Sequence, residues 1–359
     1  MVTLPFLPPF PRCYHRRMAS TQRRGRPKVP SIADVALLAG VSAQTVSRVS
    51  TGSPSVRPAT RERVVNAMTE LGYTPNRAAR ALRVGTFGSI GVITQRLART
   101  GEAMTTAVIT DIAREIGYSV TLVEVPRPVP DELRSVSHRL SNSAIDGLII
   151  VRAGLATPDA LSLPPGMPVV ASDSLLAGHY PSAVPNQVRG TQDAVTHLLG
   201  LGHRTVHHIA GAADSYPSEV RRSTWQRCLA TAGREVPEPW MGDWSPMSGY
   251  LIGREIARRE DVTAVYCAND EMAFGLIRAL HEAGRRVPED VSVVGFDGIQ
   301  LSEFSYPPLT TVRQDFDRLG HELMRLLLEQ LSGTVQQSPP RVVVPTQLLV
   351  RGTTAPPPR

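Results

Sequence analysis

The chain has 359 residues, 42% of them apolar, and a formal net charge of +7. That length suits one small domain plus a larger two-lobed one, and the apolar share excludes a wholly disordered protein. The charge is uneven: residues 1–85 hold 14 Arg/Lys against 3 Asp/Glu (+11), which leaves 25 against 29 (−4) for the rest, so a basic head on a mildly acidic body points to a polyanionic partner.

Residues 1–28 read as a disordered basic leader. The apolar residues of MVTLPFLPPFPRCYHRR are broken by prolines, and its basic residues follow them. A secretory signal has the opposite order, so a cytoplasmic, nucleoid-associated chain is expected. Translation could begin at Met1 or at Met18. The run Arg23–Lys28, RRGRPK, is similar to a minor-groove hook, but such short motifs match often by chance and a solvated leader explains it as well. No apolar run approaches the ~18 residues of a membrane span. Cys13, Cys228 and Cys267 are scattered and odd in number, which fits a reducing compartment and gives no zinc spacing.

Residues 29–74 carry the clearest local signals. Ser31 precedes IADVALLA, where Ile32, Val35, Ala36 and Ala39 fall on one helical face. Gly40 suits a sharp helix end. Ser42 is placed to cap a second helix, Ala43–Val49, with Val46 and Val49 inward and Gln44, Ser47 and Arg48 outward. Helix, glycine turn and capped helix spell a helix-turn-helix. Gln44 and Arg48 can each bond a base edge in two places, whereas Ser42, Thr45 and Ser47 suit phosphates. A third helix is expected from about Ala59 to Leu71, buried along Val64, Val65, Met68 and Leu71 and closed by Gly72.

Through IADVALLAGVSAQTVSRV, GSPSVRPATRERV and ELGYTPNRAARALR this segment resembles the lactose/galactose repressor family. The resemblance implies an operator-reading head with Ala43 among its contact positions. It also implies a hinge helix within residues 75–87, where Leu82 would be pushed between base pairs of the minor groove. Asn76, Arg77 and Arg80 would support it at the backbone. A helix that short needs partner and groove to persist. Thr51 and Ala43 depart from common family residues, so the operator should differ in detail.

In residues 88–354, the apolar runs SIGVIT, SVTLVEV, DGLIIV, PVVASD, VHHIAG, AVYCAND and VSVVGFD alternate with helical stretches. Such alternation implies parallel sheets covered on both faces. Ligands of such sheets gather at the carboxyl ends of strands, which singles out Asp173, Asn269, Asp270 and Asp297. Asp270 reads better as a helix N-cap, and Trp225 as core. The same half resembles the two-lobed, type I periplasmic-binding-protein-like body of those repressors. GDWSPMSGY, CANDEMAFG, VVGFD and LTTVRQDF match the family's inducer-contact motifs. By that resemblance Trp244 stacks on a sugar, and Asn269, Asp297 and Gln314 bond it. Asp173 and Arg221 are further candidates, with Arg222 as the fallback for Arg221. The stretch TQRLARTGEAMTT, read as a loop on the first lobe, lacks the family's aromatics and carries Arg96, Arg99 and Glu102 instead.

His197, His203, His207, His208 and His281 do not converge in the pattern, so no metal is expected. No cofactor is expected either, since there is no G-x-G-x-x-G or Walker loop. The expected architecture is thus a small all-α helix-turn-helix head plus an α/β two-lobed body, with 355–359 a disordered tail. The resemblance implies a homodimeric repressor, not an enzyme, that binds double-stranded operator DNA under control of a galactoside, glucoside or similar disaccharide. A transport binding protein would explain the body alone. A sugar-processing enzyme would need a paired acid and base that the sequence does not present.

Overall fold

The computed structural model describes residues 30–51, 53–74, 86–333 and 338–358. The leader, its Arg23–Lys28 run, and Asn76, Arg77, Arg80 and Leu82 lie outside the described residues. Internal contacts divide the chain into two compact units, parting between residues 80 and 81.

In the head, α1 (Ile32–Ala39) begins on a capping box. Ser31 Oγ accepts from the Asp34 amide at 3.4 Å, and the Asp34 carboxylate accepts from the Ser31 amide at 2.8 Å. Gly40, at φ 63°, ends it. In α2 (Ala43–Ser50), Ser42 Oγ accepts from the Thr45 amide at 3.2 Å. The axes of α1 and α2 bend by 103°, the angle a helix-turn-helix requires. α3 (Pro58–Leu71) opens on Pro58, whose missing N–H is harmless at a first helical position. Val35, Ala36, Ala39, Val46, Val49, Val64 and Ala67 form the core. The expected stripe of α3 needs correcting. Val65 is 47% exposed, because the face that meets α1 and α2 runs through Val64, Ala67 and Leu71.

The body begins with β1 (Ser89–Thr94), α4 (Thr100–Glu115), β2 (Ser119–Glu124), α5 (Pro130–Ser141), β3 (Gly147–Ile150), β4 (Val169–Ala171) and β5 (Ser182–Pro185). One residue, Asn186, then separates β5 from α6 (Gln187–Gly200) of the second lobe. That lobe continues with β6 (His207–Ala210), α7 (Tyr216–Thr231), β7 (Trp240–Met241), α8 (Pro246–Ile256), β8 (Ala264–Cys267) and α9 (Asp270–Glu282). It is completed by β9 (Ser292–Asp297), α10 (Leu301–Phe304) and β10 (Thr310–Gln314). Asp315 leads back to α11 (Phe316–Leu331) and β11 (Arg341–Val344) of the first lobe, and Pro345 leads to β12 (Thr346–Leu349) of the second.

The first sheet has the order β11-β5-β4-β3-β1-β2, all parallel. The second has the order β12-β10-β9-β8-β6-β7, with β12 antiparallel to β10. Central strands such as Gly147–Ile150 and Ala264–Cys267 are buried throughout, as strands covered by helices on both faces must be. In the second lobe α8 and α9 pack backbone to backbone: a Cβ on Gly249 would stand 2.1 Å from the Met272 carbonyl oxygen, and one on Gly275 2.0 Å from that of Pro246. Two expectations need revision here. The first turns of α4 occupy much of the stretch read as a loop, because Glu102 folds back beneath it. Ala355, placed in a disordered tail, is pinned to Ser292 by bonds of 2.9 and 3.0 Å.

Candidate effector cleft and nucleic-acid interface

A cavity of about 320 Å³ opens between the lobes, within the size range of small-molecule sites. The first lobe lines it with Arg96, Arg99, Thr100, Glu102 and Arg152, and the second with Arg221, Asp243, Trp244, Asn269, Glu271, Asp297 and Gln314. Five candidate residues therefore meet there: Arg221, Trp244, Asn269, Asp297 and Gln314. Asp173 does not line the cavity. It is buried behind the wall, where it accepts from Gln187 Nε2 at 2.8 Å and faces Arg152 at 3.6 Å. Arg222, the fallback, is paired with Glu219 at the surface.

Each cavity group is held by neighbours. Trp244 sits in a loop at φ 79°, with its indole laid on Gly211: a Cβ there would be 2.2 Å from the ring. Its Nε1 is buried without a hydrogen-bond partner among the described residues. Asn269, not Asp270, caps α9, accepting from the Met272 amide at 3.0 Å. Its Nδ2 donates to the Trp244 carbonyl and to Glu271. Asp270 takes an interior role instead, accepting from Thr311 Oγ1 at 2.5 Å and the Ile299 amide at 2.9 Å. Trp225 is wholly buried, its Nε1 donating to the Val206 carbonyl.

Arg221 and Asp297 form the polar centre. Arg221 Nε donates to Gln187 Oε1 at 2.8 Å, Nη1 donates to the Ala268 carbonyl, and Nη2 stands 3.5 Å from Asp297 Oδ1. The guanidinium lies 3.7 Å over the Phe296 ring. Gln314 Nε2 donates to Asp297 Oδ1 at 2.6 Å. Burial pushes the Asp297 carboxyl up to about 7, against the pull of Arg221. Because the folded value is raised, the stability this group contributes is full below the ordinary carboxylate range and is lost as pH rises through 7. In urea titrations Asp297→Asn should therefore gain on the wild type between pH 4 and 7, with the difference level above pH 8. A difference independent of pH would contradict that environment.

The sequence reading missed Arg152 and Glu271. Arg152 follows Val151 directly after β3, so the strand-end rule that selected Asp173 should also have selected it. Among the described residues no group of three His, Cys, Asp or Glu could hold a metal ion. The histidines of β6 serve packing: His208 stacks on Tyr266 at 4.8 Å, and His207 faces Trp240 at 5.7 Å.

On the head, Ser42, Ala43, Gln44 and Arg48 are exposed, and Thr45 and Ser47 are half-buried. Ser42 Oγ and Thr45 Oγ1 are 3.0 Å apart. The open side of α2 is thus polar, with Arg48 as its cation.

Residues 31–76 match the model described as "Bacterial regulatory proteins, lacI family", and residues 195–354 match a periplasmic binding protein-like domain. The chain is 35% identical to the Lactose operon repressor of Escherichia coli (strain K12) over 334 residues, 92% of each protein. It belongs to the lacI family. A second family member, the transcriptional regulator CelR of Thermobifida fusca, is 34% identical over 92% of this chain and 99% of CelR. Among solved structures, the lac repressor dimer bound to operator and the anti-inducer ONPF superposes with a TM-score of 0.81 at 35% identity, over 91% of this chain and 100% of that one. The CelR–cellobiose complex gives 0.67 at 31% identity, over 90% and 99%. These lacI-family relatives are transcriptional regulators, not enzymes.

Proposed function

We propose that this chain is a sequence-specific transcription repressor whose operator affinity is set by a small sugar bound between the lobes. The observation that carries the reading is the joining, in one lacI-family chain, of a helix-turn-helix head to a cleft lined by an aromatic and bidentate polar groups. Ser42, Ala43, Gln44, Thr45, Ser47 and Arg48 are assigned to the major groove, and Asn76, Arg77, Arg80 and Leu82 to the minor groove. Arg221, Trp244, Asn269, Asp297 and Gln314 are assigned to the sugar, with Asp173 supporting them. The effector is taken to be a galactoside, glucoside or similar disaccharide, and a cavity of about 320 Å³ supports a ligand of that order of size. The relatives bind cellobiose in one case, and operator with ONPF in the other.

A homodimer would span a near-palindromic operator. Sugar favours a lobe arrangement that lowers DNA affinity, and linkage then requires operator to weaken sugar binding by the same factor. The test is an operator titration of the purified chain against a panel of sugars. Failure to bind any duplex at low salt would end the reading. Leu82→Ala should weaken specific binding at least tenfold while changing non-specific binding little, because only a kinked site uses the lever. Equal loss on both would sink that assignment.

A further inference from the structure

The two walls of the cleft differ in charge. The second lobe supplies Trp244, Asn269, Gln314 and Arg221 together with three carboxylates, Asp243, Glu271 and Asp297. The first lobe supplies three guanidinia, Arg96, Arg99 and Arg152, against one lining carboxylate, Glu102. Glu102 is 1% exposed, and its Oε2 is already engaged by Thr94 Oγ1, the Gln95 amide at 2.7 Å and the Arg96 amide at 2.8 Å. Its Oε1 stands 3.8 Å from Arg99 Nη1 and 3.9 Å from Arg152 Nε, too far to hydrogen-bond either. Both of those nitrogens, like Glu102 Oε1 itself, are buried with no hydrogen-bond partner among the described residues. Asp173 faces Arg152 from behind, at 3.6 Å, so it steadies the guanidinium without closing it off. Burial also holds the Arg99 guanidinium below its ordinary range.

A buried cation without full hydrogen bonding is costly, and it persists where something else completes it. Planar guanidinia are the groups best matched to a carboxylate or phosphate, which they bond in pairs. We infer that the effector is an acidic sugar, a uronate or a sugar phosphate, with its ring against Trp244 and its anionic group on Arg99 and Arg152. This rests on the sugar reading above and narrows it.

The test is calorimetric titration of the full-length protein with matched probes: cellobiose, cellobiouronic acid and cellobiose phosphate, then lactose and its two acidic counterparts. At least one acidic probe should bind tenfold or more tightly than its neutral parent. That preference should shrink at least threefold from 50 to 300 mM salt, since screening acts on the anion alone. In Arg99→Gln and Arg152→Gln it should fall below about twofold. The salt series uses wild-type protein, so it decides the matter even if a variant folds poorly. Whichever acidic probe wins tells carboxylate from phosphate. Neutral sugars binding as tightly as both acids overturns this proposal and leaves the sugar reading standing. Failure of every probe to bind overturns both.

Discussion

Trp244→Ala should cost at least thirtyfold in sugar affinity and abolish sugar-driven release of operator. A buried aromatic anchor at the centre of a site commonly carries 2 kcal/mol or more, about thirtyfold. Trp244 is half-buried with its ring on the Gly211 backbone, and a sugar laid on its open face would complete that burial. Truncation would remove the apolar face while leaving the backbone carbonyl that accepts from Asn269 Nδ2. Gly211→Ala offers an independent route to the same result, since the added carbon would meet the indole at 2.2 Å and displace it. Titration of sugar against operator-bound protein, with fluorescence anisotropy on labelled duplex, reads both variants. A Trp244→Ala protein that responds at wild-type sugar concentrations would remove the residue from the site.

The second large effect is on stability. Arg221→Met should destabilise the body by about 3–5 kcal/mol near neutral pH, the usual cost of removing one partner from a buried ion pair. Methionine fills much of the volume, so the loss is electrostatic. Gln187 Oε1 and the Ala268 carbonyl would lose their donor, and Asp297 its counter-ion. The cost should shrink below pH 6, where the Asp297 carboxyl takes up a proton and no longer needs one. Urea unfolding at pH 5 and pH 8 measures both. A loss under 1 kcal/mol at pH 8 would show that the pair contributes little.

Much of this was legible in the residues. Continuous apolar runs such as Ser89–Thr94 and Ser292–Asp297 are strands with the bounds their sequences suggest. The head declared itself through Ser31, Gly40 and Ser42, because caps and left-handed turns are local physics. What escaped depends on partners distant in sequence. Ser182–Pro185, Arg341–Val344 and Thr346–Leu349 are short or partly polar, and pairing with neighbouring strands makes them strands. Pro130–Ser141 has few apolar residues beyond Leu133, Val136 and Leu140, all buried. Pro246–Ile256 carries two glycines that weaken a helix in isolation, yet they let it lie against its neighbour. In the cleft, Trp244, Asn269, Asp297 and Gln314 stood out through local motifs. Glu271 acquires meaning only when the lobes face each other, where Thr100 of the first lobe donates to it.

The joints between the lobes limit how this protein can move. Asn186, Asp315 and Pro345 are each a lone residue between an element of one lobe and an element of the other. A trans peptide link spans a fixed 3.8 Å between neighbouring α-carbons, so none of the three can stretch. Side-by-side sliding or full separation would break a strand or unwind a helix. Swinging one lobe against the other needs only backbone rotation at these three joints. Any change at the cleft that reaches the rest of the body must therefore do so by turning the lobes, not by shifting or parting them.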